Sequence, residues 1–168
     1  MRTNWRIPAS LPADSAIIAF RHFQAYALTA TEPIADPFES AGVLTDENGH
    51  FSLETSVLAA LMEVGGTNTD TGEANELTLL APRSSSVITP LTTLILGLVE
   101  DTGITVAEAE SQVQSALGIK GNEDLTQLDS FDPNSDATVA QDVQQAAAQV
   151  AELGSLAEET GSDFYRQV

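Results

Sequence analysis

Apolar positions change their spacing once along the chain, near Ser86, and the change divides it into two halves. Before that point apolar residues come in short runs broken by turn formers, which is the pattern of strands. After it they recur every three or four residues, which is the pattern of helices with one apolar face.

In the front half, residues 16–20 and 23–28 read as strands, and Glu32-Pro33 and Asp36-Pro37 then mark an extended loop. Residues 43–45, the turn Asp46-Glu47-Asn48-Gly49 and residues 50–53 read as a hairpin. Asn48-Gly49 supplies the positive φ that a tight turn requires. A polar connection over residues 65–75 separates the apolar run 57–64 from another strand-like run at 77–81, which ends at Pro82 and the cluster Ser84-Ser85-Ser86. These runs predict about five or six short strands, enough for a small sandwich or a curled sheet.

In the back half, Thr89 caps a first helix with Pro90 at its first position, and Leu91, Leu94, Ile95, Leu98 and Val99 share a face. Gly103 ends it. Thr105 and Glu108 form a capping box for a second helix with an apolar stripe of Val106, Ala109, Val113, Ala116 and Leu117, stopped by Gly118. A third helix begins near Asp136 and carries Val139, Val143, Ala146, Ala147, Val150 and Leu153 on one side. Its alanines allow close approach to the first two helices or to the sheet. The fold class expected is therefore α+β: a small antiparallel β-sandwich or curled sheet followed by a three-helix segment packed on it. The divisions are an extended arm (1–15), a β-rich subdomain (16–82), a helical subdomain (86–153) and a polar tail (154–168) that holds Phe164 and Tyr165.

Length and composition fit this picture. A chain of 168 residues suffices for one domain or two small subdomains, and folding at that size buries roughly two thirds of the unfolded surface. The 42% apolar content with only 5% aromatic residues means that the interior is built from Leu, Ile, Val and Ala.

Charge narrows the partners. The chain carries 25 acidic and 6 basic residues, a formal net charge of −19, and Lys120 is its single lysine. Nucleic acid and anionic membranes demand the opposite sign, which makes them poor partner candidates. Salt, with a screening length of about 8 Å at physiological strength, or bound divalent cations would relieve the self-repulsion. The absence of cysteine excludes disulfides, thiolate zinc sites and a cysteine nucleophile. The longest apolar run, residues 94–99, is too short to span a bilayer. Residues 16–20 are too short, and follow two prolines rather than basic residues, so they do not read as a signal peptide. An exported form would have lost its signal or would carry it upstream in a longer parent chain.

The segment Val87-Ile88-Thr89-Pro90-Leu91-Thr92-Thr93-Leu94-Ile95, after Ala81-Pro82 and before Leu117-Gly118 and the Ala/Gln-rich residues 144–150, resembles a segment in modules of large bacterial secreted and cell-surface proteins of the adhesin type. The hairpin residues from Asp46 to Phe51 resemble the Thr-Asp-x-x-Gly-x-Phe hairpin of carboxypeptidase-regulatory or transthyretin-like sandwiches. Together the two resemblances cover roughly residues 42 to 153. They imply an accessory or adhesive architecture, often in chains that also carry calcium-binding repeats. The Gly-Gly-x-Gly-x-Asp pattern of those repeats does not occur in this sequence.

Candidate chemistry is sparse. His22 and His50 stand on separate predicted strands and read as surface residues. There is no Gly-x-Ser-x-Gly elbow, His-Glu-x-x-His pair or phosphate-binding glycine loop. Trp5, in the terminal arm, is the one tryptophan to set against a sugar cleft. The best metal candidate is Asp132, Asn134 and Asp136, whose alternating oxygen donors match the opening of a calcium loop. Ala137 then stands where such a loop needs glycine, and Val143 where it needs a bidentate glutamate. An Asx-turn leading to a helix cap at Asp136 accounts for the same residues. Asn68, Asp70 and Glu73 form a second, weaker oxygen cluster.

The function expected is that of a non-enzymatic structural or adhesive module of a bacterial extracellular or cell-surface protein. Its partners would be other protein domains or copies of itself, in a homo-oligomer or filament. The arm, residues 1–12, would add a strand to a neighbour's sheet edge. The alternative is a module that binds calcium or a carbohydrate.

Overall fold

The computed structural model describes residues 4–6, 16–20, 43–44, 50–52, 60–64 and 78–159. The strands are β1 (Asn4–Arg6), β2 (Ala16–Phe20), β3 (Val43–Leu44), β4 (His50–Ser52), β5 (Ala60–Val64) and β6 (Leu79–Ala81). The helices are α1 (Pro90–Thr102), α2 (Val106–Leu117) and α3 (Ala137–Glu159).

The expected sandwich or curled sheet is not the architecture. Among the described residues the interior is α-rich, built from three helices and the two antiparallel strands β5 and β6. Among the described residues β1 pairs only with β4, while the other strands form one sheet in the order β3-β2-β5-β6, antiparallel throughout. The two arms of the expected hairpin are both extended, yet β3 pairs with β2 and β4 pairs with β1. Two- and three-residue strands close too few hydrogen bonds to hold a sandwich by themselves. Among the described residues most of the buried apolar side chains lie from Val87 onward, on and around the helices. Residues 23–28 and the turn residues 46–49 lie outside the described residues.

Strand β6 is covered on both faces. Leu79, Leu80 and Ala81 are all buried, so neither face of the strand meets water. On β5, Leu61, Met62 and Glu63 are likewise buried in succession. Such strands read as unbroken apolar runs, as in sheets covered on both faces. Glu63 interrupts that run, and it is wholly buried, in register with Ile17 on one side and Leu79 on the other.

Helix α1 is the hub. Every residue from Pro90 to Leu96 is buried, because the first two turns are enclosed on all sides. Leu91, Leu94 and Ile95 form a cluster with Ala109 and Val113 of α2 and with Val143, Ala146 and Val150 of α3. The helix ends at Gly103, whose φ of 71° places it in the left-handed region and whose N–H donates to the Val99 carbonyl at 2.9 Å. Helix α2 ends the same way at Gly118, with φ 68°.

The expected stripes differ from the observed ones at two positions. Ala116 faces solvent on α2, and Leu153 is 55% exposed on α3. Helix α3 also continues through Gly154, which is buried, and reaches Glu159. The inward line of α3 advances from Val143 through Ala146 and Val150 to Gly154, so Leu153 falls beside it rather than on it.

Candidate functional site

The most densely bonded polar group lies where β6 meets α1. The segment Thr89-Pro90-Leu91-Thr92-Thr93 puts three threonines in and around the first helical turn. Thr89 is the cap, with extended backbone, and its hydroxyl accepts from the Thr92 N–H at 3.1 Å. The Thr92 hydroxyl reciprocates by accepting from the Thr89 N–H at 2.8 Å. The result is a capping box in which threonine takes the place usually held by glutamate or glutamine.

Thr92 and Thr93 reach further, to the backbone of Leu80. The Leu80 N–H donates to Thr93 Oγ1 at 2.9 Å, and Thr92 Oγ1 donates to the Leu80 carbonyl at 2.8 Å. Each hydroxyl has one proton and two acceptor sites. With Thr92 donating to Leu80, Thr93 donates to the Thr89 carbonyl at 2.9 Å. Leu80 therefore turns both backbone groups away from β5, and the two hydroxyls occupy the places that a further strand would fill. β6 is the end strand of the described sheet. Its outward edge is closed by helix side chains, which is how native sheets protect an edge from pairing with another chain. Pro82, the next residue, has no N–H to offer, and its carbonyl accepts from the Ser85 N–H at 2.9 Å.

A second set of bonds braces the joint from α2. The Ser86 N–H donates to the Thr126 carbonyl at 2.7 Å, and the Gln127 side chain donates to the Ser84 carbonyl at 2.6 Å. The turn that carries Thr126 and Gln127 is in turn held by α2. The Glu110 carboxylate accepts from the Leu125 N–H, and Gln114 donates to the Glu123 carbonyl at 2.7 Å. Asp124 binds the next amide along, taking the Thr126 N–H at 2.9 Å and the Thr126 hydroxyl at 2.6 Å. Ser85, wholly buried inside this bracket, has a hydroxyl with no hydrogen-bond partner.

Two carboxyls near this bracket are displaced from their ordinary range in opposite directions. Burial raises Glu110; the Leu125 N–H offsets part of the rise and the charge of Asp124 adds to it. On α2, hydrogen bonds from the Thr105 backbone and then from its side chain lower Glu108. A carboxyl with a raised folded-state pKa contributes stability below its unfolded value and loses that contribution as pH rises through the folded value. Glu110→Gln keeps an acceptor for Leu125 and carries no charge. It is expected to gain stability relative to the parent chain as pH rises from about 4 to about 7. Urea midpoints of the two chains at both pH values would check this, and a difference independent of pH would contradict it.

The residues singled out for metal binding serve the backbone in this structure. Asp132 accepts from the Asn134 N–H at 2.8 Å and from its side-chain amide at 2.7 Å, an Asx-turn. Asp136 caps α3, accepting from the Thr138 N–H at 2.9 Å and the Val139 N–H at 3.1 Å. Among the described residues no three Asp, Glu or His side chains gather closely enough to hold a metal ion. Asn68, Asp70, Glu73 and His22 lie outside the described residues, while His50 stands on β4 opposite Arg6, and Trp5 on β1 opposite Phe51. A cleft between the end of α2, at Gly118 and Ile119, and Asp142, Gln145 and Gln149 of α3 encloses about 170 Å³. Pockets for small molecules are larger, roughly 300 Å³ and upward.

Sequence reasoning missed the most important part of this site. Thr92 and Thr93 have no place in the apolar stripe read from sequence for the first helix, yet both are wholly buried. The signal was present in the pairing of Thr89 with Thr92 at capping-box spacing. Among the described residues no helix is long and apolar enough to cross a membrane. No family model, curated protein or solved structure matches the chain.

Proposed function

We propose that this chain is a non-catalytic structural module of a bacterial extracellular or cell-surface protein, which spaces or joins its neighbours. The observation that carries the reading is the joint itself. Threonine hydroxyls at the start of α1 weld the helix to the backbone of β6, and a turn held by α2 braces the same place. Buried polar side chains are spent here on holding one element against another. The acidic exterior, with a net charge of −19, suits a saline, cation-rich surrounding. Cell fractionation tests the location: recovery of the native protein in the cytosol, unattached to any exported chain, would remove the reading.

Assembly through the arm is part of the same proposal. β1 pairs with β4 of its own chain over three residues. Exchange of that short pairing between copies would link one module to the next. The β6 edge is closed by Thr92 and Thr93, so strand addition would use another edge. Deleting residues 1–12 is expected to abolish assembly, measured by sedimentation, while leaving the helical circular dichroism intact. Unchanged assembly would reject this route.

A further inference from the structure

We draw no further inference here: the strongest candidate, the half-exposed Leu153 and Leu156 on the outer face of helix α3, carries none because nothing in the structure shows what covers it.

Discussion

Replacing Thr92 with valine is expected to lower the free energy of unfolding by about 2 kcal/mol, although valine has nearly the same shape. No cavity opens, so the loss isolates hydrogen bonding. The Thr92 hydroxyl accepts from the Thr89 N–H and donates to the Leu80 carbonyl, and residues 80, 89 and 92 are all buried. The substitution strands the Thr89 N–H out of reach of water, whereas the Leu80 carbonyl still has the Thr93 hydroxyl at 3.1 Å. A stranded group of this kind costs about 1–3 kcal/mol when left unpaired. Losing half of the capping box is part of the same cost, since the Thr89 N–H is the stranded group. Thr92→Ser restores the hydroxyl and is expected to recover most of the loss. Urea unfolding followed by circular dichroism measures both variants. A Thr92→Val chain within about 0.5 kcal/mol of the parent would mean that the joint adds nothing beyond shape.

The helices were legible in the sequence because their signals are local. Thr89 with Pro90, Thr105 with Glu108, and the stopping glycines Gly103 and Gly118 each act within one turn of chain, and all four helix ends lie where those residues place them. The sheet was harder to read. The residues of β3 and β4 flank an Asn-Gly turn signal, but their pairing partners lie elsewhere in the chain. A ladder is set by contacts between distant segments, which local turn chemistry does not determine. Leu79 to Ala81 and Leu61 to Glu63 lie in runs read as strands of a small sandwich, whereas their unbroken burial means cover on both faces. Part of that cover is α1.

The joint was illegible for a related reason. Threonine between apolar helix positions ordinarily faces water, and nothing within α1 itself reveals that a strand ten residues earlier approaches that face. Thr93 spends its hydroxyl on Leu80, a partner 13 residues away. The signal at the metal candidates is ambiguous. Asp132, Asn134 and Asp136 have the spacing of a calcium loop, but Asx-turns and helix caps use the same residue types at similar spacing. Their bonds to nearby amides in this structure are those of a turn and a cap.

Ile95→Ala is expected to be still more damaging, at about 4 kcal/mol, and Leu153→Ala to be nearly silent. Ile95 is wholly buried at the point where α1 meets α2 and α3. Truncating a buried isoleucine removes apolar contacts and leaves a cavity that the surroundings only partly fill, at a cost of about 2–5 kcal/mol. The upper part of that range applies because α1 is enclosed on all sides over its first two turns, so no exposed flank is free to collapse inward. Leu153 reads from sequence as part of the same kind of stripe, yet it is 55% exposed. Its truncation removes little buried surface, and alanine is at least as good a helix former. The pair therefore separates an interior centred on α1 from one in which all of the periodic positions of α3 contribute alike. Thermal and urea unfolding of both variants would decide between them, and equal losses at the two sites would place the core elsewhere.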